Sequence, residues 1–360
     1  MPKPLVYISK TYPQDNNGLN DTAFSIPAQQ ILQALNLDSG NRAVMIKPNI
    51  TAGAPRNSGI VTHPAFVGGI VDYFTADLGI SNKNIFVGEA SSKLTSSPQR
   101  EVNWNRSGYT EMSLEKEVQL LELADYGNIR KTPGNTVHLH NIGISRWADA
   151  DNIFYINVPK LKTHNLSIAT LCGKNQQGVM IPVVERHLCS DAWRKTFGDE
   201  NKKKNGREWM DEKNHEAWQR NIAHMHWDVF LACQPNFNIV EGIVGRDGNA
   251  FYLGRNFPSG LVIAGESMPA VDFVAAYLMG FEPKNLIYLQ VGIERGLCPP
   301  SIDEVAVHLV QDGTIIGLTD PNKYRVQPAF EVYRDIPSDY KKKALFDEYD
   351  PNADDFQLAG

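Results

Sequence analysis

The sequence has few cysteines: Cys172, Cys189, Cys233 and Cys298 are the only four among 360 residues. No two of them form a Cys-x-x-Cys pair, so nothing supports a cysteine-held zinc ion or iron–sulfur cluster. No apolar run approaches the roughly 20 residues that a membrane-spanning helix needs. The first ten residues, MPKPLVYISK, lack the apolar core of a signal peptide. We therefore expect a cytoplasmic protein with no membrane partner and no disulfides.

Several sequence signatures are also missing. The chain has no Walker A motif, no G-x-S-x-G and no G-x-G-x-x-G, which argues against a P-loop kinase, a standard serine hydrolase and a Rossmann dehydrogenase. The formal net charge is −6, and the lysine run at 202–204 has no interleaved aromatic residues. Neither feature favours nucleic acid as a partner, so any attraction of an anion must be local.

Short apolar segments of strand length alternate with segments that carry a helical stripe of apolar residues. This pattern predicts an α/β fold: a mostly parallel sheet with helices on both faces and a helical or irregular insertion near residues 183–233. Residues 1–330 form a single domain or two closely packed lobes divided near residue 150. The charged segment 331–360 is predicted as a C-terminal extension that wraps the surface or mediates association, including homo-oligomers.

Four local patterns give specific expectations. Ser25, followed by Pro27, predicts the start of a helix, and so does Thr62 or His63 before Pro64. Residues 137–144 alternate like an edge strand, which would place His138 and His140 on one side. Lys213 to Ala232 has the clearest helical stripe. Another face of that helix bears His224 and Asp228, either an exposed salt-bridge row or a secondary acid–base pair.

Cationic and amide side chains crowd together after the apolar segment Ile153 to Val158, which reads as a buried strand. Within sixteen residues after Pro159 come Lys160, Lys162, His164, Lys174 and Asn175. Leu166 to Leu171 is predicted to form one or two helical turns. A strand end followed by a helix start is where α/β proteins hold ligands, and lysines there favour an anion. The alternative is a solvated basic loop.

Two earlier strand ends carry similar groups. Lys47 and Asn49 follow the strand Ala43 to Ile46, and Glu89 follows the strand Asn84 to Val87. Because the carboxyl ends of parallel strands lie at one edge of a sheet, we expect these side chains to converge with the basic stretch. Later in the chain, three more carboxylates follow or open predicted elements: Glu241, Asp247 and Asp272.

An ordered set of short motifs resembles the domain of unknown function 362 family. The motifs, which span roughly Ala43 to Asp272, are IKPN (46–49), THP (62–64), GEAS (88–91), SGY (107–109), NVPKLKTH (157–164), GKN (173–175), VEGIVGRDG (240–248) and PAVD (269–272). The resemblance implies an α/β fold with a polar cleft and leaves the reaction unnamed. Some members carry a ferredoxin-like module with cysteine-rich motifs. This chain has none, so no iron–sulfur cluster is expected.

These observations lead to one functional hypothesis and an alternative. The hypothesis is an enzyme that acts on a small carboxylated or phosphorylated metabolite by metal-assisted acid–base chemistry, as an isomerase, lyase or hydrolase. The alternative is a non-catalytic binding protein for a phosphorylated metabolite or cofactor. The assigned roles are as follows: His164, His63 and Lys162 are catalytic; Lys47, Asn49, Lys160, Lys174 and Asn175 bind the substrate; Glu89, Glu241, Asp247 and Asp272 hold a divalent cation such as Mg²⁺.

Overall fold

The computed structural model describes residues 2–11, 19–50, 54–90, 97–164, 167–187, 212–248 and 254–332. Within these residues the protein has an α/β fold. The strands are β1 Leu5–Lys10, β2 Ala43–Pro48, β3 Ile85–Glu89, β4 Gln119–Glu122, β5 Asn128–Lys131, β6 Ile142–Ser145, β7 Ile153–Val158, β8 Lys160–His164, β9 Ile168–Thr170, β10 Phe237–Arg246, β11 Asn256–Phe257, β12 Leu261–Gly265, β13 Ala306–Gln311 and β14 Thr314–Leu318. The helices are α1 Thr22–Leu35, α2 Pro64–Asp72, α3 Ser97–Arg106, α4 Tyr109–Glu115, α5 Arg146–Asp149, α6 Cys172–Asn175, α7 Glu212–Ala232, α8 Met268–Leu278 and α9 Ile287–Glu294.

One mixed, mostly parallel sheet organises the molecule, with the strand order β14-β13-β1-β12-β10-β7-β2-β3-β4. Strands β10, β7, β2, β3 and β4 run parallel to one another, whereas β12 runs antiparallel to both of its neighbours. A small separate sheet pairs β5 with β6. The carboxyl ends of β2, β3, β7 and β10 therefore lie along one edge.

Helices cover both faces of this sheet, as the alternation of side chains along a strand requires. In β12, Val262 and Ala264 pack into the core under α1 and α2, and Phe24 belongs to the same core. The alternate residues Leu261 and Ile263 pack into the core under α8 on the opposite face. The predicted fold class is confirmed.

Two helix starts had been predicted. His63 caps α2 as expected: its Nδ1 accepts the Ala65 N–H, and Pro64 occupies the first helical position. The predicted start of α1 at Ser25 is wrong, because the helix begins at Thr22 and contains Pro27. Proline removes only one backbone hydrogen bond there. The earlier start lets Phe24 bury its whole side chain in the core.

The stretch after Pro159 is a strand, not the loop that the proline predicts. Strand β10 pairs with β7 at its start and with β8 from Glu241 onward, so a single long strand spans both segments. Pro159 lies at the junction, where its carbonyl accepts the Glu241 N–H at 2.9 Å. The helical turns predicted for Leu166 to Leu171 are also wrong: β9 pairs antiparallel with β8, and the following helix begins at Cys172.

The edge strand predicted at residues 137–144 is shorter and begins only at Ile142. The backbone N–H groups of residues 137, 138 and 139 donate instead to the carboxylate of Asp228, at 2.7–3.0 Å. His138 and His140 therefore do not share one face of a strand. The carboxylate of Asp228 also accepts a bond from Arg295 at 2.8 Å. Asp228 thus anchors the loop at residues 137–139. This structural role replaces the acid–base role that the sequence suggested for Asp228 with His224.

The helix predicted at Lys213 to Ala232 is confirmed as α7. The sequence did not predict β14, which pairs antiparallel with β13. Two predicted segments, the lysine run at 202–204 and residues 333–360 of the C-terminal extension, lie outside the described residues. No helix among the described parts of the chain has the length and apolar character needed to cross a membrane.

The crossing of α1 and α2 depends on Gly69. A β-carbon at this position would lie 2.2 Å from the backbone oxygen of Ser25, which cannot move without shifting α1. We expect Gly69→Ala to lower the free energy of unfolding by about 3 kcal/mol, measured by urea denaturation. The neighbouring Gly68→Ala is the matched control, because its β-carbon would meet the flexible end of Lys116 at 3.3 Å. Equal stability of the two variants would contradict this packing.

Candidate functional site

Strand β8 presents three basic side chains to the same side. Lys160, Lys162 and His164 alternate with Leu161 and Thr163, and a strand directs alternate residues to opposite faces. Leu161 packs into the core under α8. The relative exposures of the three basic residues are 0%, 1% and 7%. The three basic residues lie together because they are two positions apart in a strand. The sequence predicted a loop here, so this spacing was not recognised.

Lys160 is held in a buried ion pair. Its Nζ lies 2.5 Å from Oε2 of Glu241, its register partner on β10, and both side chains are fully buried. Glu241 also accepts the backbone N–H groups of His63, at 3.3 Å, and Ile243, at 3.0 Å. The carboxylate thus connects β8 and β10 with the start of α2.

A second buried ion pair joins the ends of β2 and β3. Nζ of Lys47 donates to Oε2 of Glu89 at 2.9 Å and to Oδ1 of Asn175 at 3.1 Å. Glu89 also accepts the backbone N–H groups of Ile50 and Ala90. Two of the strand-end groups predicted to converge therefore meet in this pair, and Asn175 of the basic stretch joins them through its contact with Lys47.

Buried asparagines link these elements, and the sequence had singled out only part of this chain. Nδ2 of Asn175 donates to Oδ1 of Asn157 at 2.8 Å, and Nδ2 of Asn157 donates to Oδ1 of Asn238 at 3.2 Å. Asn238 in turn donates to the carbonyl of Glu266. The missed residues, Asn157 and Asn238, lie inside apolar strands, and a buried amide in such a strand is the signal that could have found them.

Asn49 lies beside this chain at the end of β2. It is buried, and its backbone N–H donates to the hydroxyl of Thr62 at 3.0 Å. The same hydroxyl donates to the carbonyl of Val158 at the end of β7. Thr62, which the sequence predicted only as a possible helix start, therefore fastens two strand ends to the start of α2.

The amino group of Lys162 lies among other cations. Burial and the charges of Lys174, Arg246 and Lys160 hold the pKa of Lys162 well below its ordinary value. Arg246, another residue that the sequence did not single out, is the register partner of Lys162 on β10. Nζ of Lys162 lies 3.4 Å from the hydroxyl of Thr170 on β9. A lowered pKa favours the uncharged amine of a lysine, which can accept a proton.

The two candidate histidines differ in their surroundings. Burial and the charges of Lys174 and Lys162 hold the pKa of His164 well below its ordinary value, and Nδ1 accepts the Ser167 N–H at 3.4 Å. That contact leaves the proton of the neutral ring on Nε2. The ring of His63 stacks on Phe24 and caps α2, so its Nδ1 already has a structural task.

The four carboxylates predicted to hold a metal ion do not form one group. Glu89 and Glu241 pair with lysines, as described above. Oδ2 of Asp247 accepts from Arg255, and both oxygens of Asp272 accept the backbone N–H groups that begin α6. Burial raises the pKa of Asp272 to about 6. No three histidine, cysteine or acidic side chains within the described ranges are placed together as metal ligands. The divalent cation stays a prediction.

The fold and these contacts define a class: an α/β protein with a buried, lysine-rich site at the carboxyl edge of a parallel sheet. The model of the domain of unknown function 362 family matches residues 44–277, more than half of the chain. The chain belongs to this family. No curated protein and no solved structure matches it.

The pair of Lys47 and Glu89 can be tested through Gly178, which lies directly over it. A β-carbon on Gly178 would lie 2.3 Å from Nζ of Lys47 and 2.5 Å from Oε1 of Glu89. We expect Gly178→Ala to separate the pair and to lower the free energy of unfolding by about 3 kcal/mol, because a buried charge loses its partner. Gly134→Ala, with open space around the new methyl group, is the control. Unchanged stability of Gly178→Ala in urea denaturation would count against a tightly closed pair.

Proposed function

We propose that the protein is an enzyme that binds a small carboxylated or phosphorylated metabolite against β8 and acts on it by acid–base chemistry. The observation that carries the proposal is the row of Lys160, Lys162 and His164 on one buried face, with Lys174 and Arg246 beside it. The isomerase, lyase and hydrolase classes all use such chemistry.

The electrostatics of this row support an anionic ligand. Burial disfavours the protonated form of Lys162 most, and the charges of Lys174, Arg246 and Lys160 add to this effect. A negative charge placed among these groups reverses that effect, since an opposite charge within about 4–6 Å favours the charged form. The site therefore gains a proton and an ion pair when an anion binds.

Lys162 and His164 can then serve as acid and base. With the anion bound, Lys162 carries the proton that it has taken up and can donate it, and the neutral ring of His164, whose pKa is lowered, can accept one. Both residues project from one strand two positions apart, so a ligand against β8 reaches both. Each predicted metal carboxylate already accepts bonds from lysine, arginine or backbone N–H groups, so the proposed acid–base step uses none of them.

Binding of an anion is expected to be coupled to proton uptake by Lys162. Inorganic phosphate and acetate are suitable probes in isothermal titration calorimetry, with buffers of different ionisation enthalpy. Affinity should rise as the pH falls and should level off below the lowered pKa of Lys162, because the free site is then already protonated. In Lys162→Met the uptake should vanish. Wild-type binding without proton uptake above neutral pH would contradict the proposed role of Lys162.

His164→Ala separates catalysis from binding. In an enzyme, this variant should keep its affinity for a substrate found by screening isomerase, lyase and hydrolase reactions, while kcat falls by about 10²–10⁴-fold. His140→Ala, an exposed position, is the control. Turnover that survives His164→Ala would remove His164 from the mechanism. Anion binding without turnover of any compound screened would favour the alternative, a non-catalytic binding protein.

A further inference from the structure

Two polar side chains of α7 are buried without a hydrogen-bond partner. Among the residues that the structure describes, none bonds to either ring nitrogen of His226 or to Nε2 of Gln219, and the two residues are only 1% and 5% exposed. They lie seven positions apart, two turns along one face of the helix. A buried polar group without a partner carries a free-energy penalty, and native proteins retain few of them.

These two side chains line a small void. The turn at Ser167–Ile168 and the ring of Tyr288 form its other walls. The enclosed space is too small to admit a water molecule, so water does not satisfy the orphaned nitrogens. The described part of the protein therefore supplies no hydrogen-bond partner for the nitrogens of His226 and Gln219 that face the void.

The void borders the cationic site. Ser167 in its wall donates its N–H to Nδ1 of His164. Burial and the charge of Lys174 lower the pKa of His226 to about 3. The ring is therefore neutral and offers one donor and one acceptor.

The opposite wall has a backbone conformation of high energy. Ile168 has a φ of 65°, in the left-handed region that β-branched residues rarely adopt. Such strain is found where the surrounding structure imposes it, often at ligand sites. A ligand atom enters the void only if a wall moves, and we expect this strained wall to be the one that moves.

Resting on the proposed function, we propose that His226 and Gln219 recognise a hydroxyl group of the same ligand whose acid group lies against Lys162 and Lys174. A hydroxyl can donate to the bare ring nitrogen of His226 or accept from its N–H, and its oxygen can also accept from the Gln219 amide. A site with buried polar groups of this kind rejects an analogue that lacks the matching hydroxyl. The ligand class is therefore a hydroxylated carboxylic acid or a phosphate monoester of a polyol.

Matched pairs of probes test this inference by calorimetry on the full chain. Glycerol 3-phosphate is compared with propyl phosphate, and glycerate with propionate, so that each pair differs only in hydroxyl groups and the two pairs distinguish a phosphate from a carboxylate. In the wild type we expect the hydroxylated member to bind about tenfold more tightly. In His226→Leu and in Gln219→Leu that preference should fall below about threefold, with binding of the other member unchanged.

Stability gives a second readout. His226→Leu removes two unsatisfied nitrogens, so its melting temperature should equal or exceed that of the wild type, whereas a residue with a merely structural role would lose stability. His140→Leu is the control. A preference that survives in both variants, or that the wild type never shows, overturns the inference. If the wild type shows no preference but binds propionate or propyl phosphate, and this binding is lost in Lys162→Met, the proposed function is still supported. If the wild type binds none of the probes, both the inference and the proposed function are wrong.

Discussion

Burial of three basic side chains on one face of β8 is the constraint on which the rest of the site depends. A charged or hydrogen-bonding group taken out of water is costly unless other groups satisfy it. Strand β10 offsets part of this cost, because its length brings Glu241 beside Lys160. It also brings Arg246 beside Lys162, and this second cation raises the cost of charging Lys162. A shorter β10 would end with β7 and leave β8 paired with β9 alone.

The neighbouring elements are fastened to β8 and β10 by polar contacts in the core. The asparagine chain runs from α6 through β7 to β10, and the Lys47–Glu89 pair joins β2 to β3. Asp272 fixes the start of α6 through the backbone N–H groups of Cys172 and Gly173, and so sets the position of Lys174. A fully satisfied network of this kind holds its members in one arrangement. Glu89, Glu241 and Asp272 therefore position lysines: Lys47, Lys160 and Lys174, respectively.

Part of this arrangement could be predicted from the sequence. Strand ends that carry Lys47, Glu89 and the basic stretch were expected to converge, because parallel strands end at one edge, and the fold has that edge. The strand character of β8 was missed because Pro159 reads as a break. Only the partner strand, distant in sequence, shows that the proline falls at a junction between two pairings. Asp228 was misread for the same reason, since its partners at 137–139 are about ninety residues away. The orphaned nitrogens of His226 depend on packing around the ring, which no local pattern encodes.

Anomalous diffraction tests most directly whether the face of β8 binds an anion, as we propose. Crystals of the full chain grown with selenate, a tetrahedral anion with an anomalous signal, would locate the site. We predict a peak within hydrogen-bond distance of Nζ of Lys162 and of Lys174 or Arg246, and the loss of this peak in Lys162→Met. Peaks confined to surface lysines, with the face of β8 empty at saturating selenate, would contradict it.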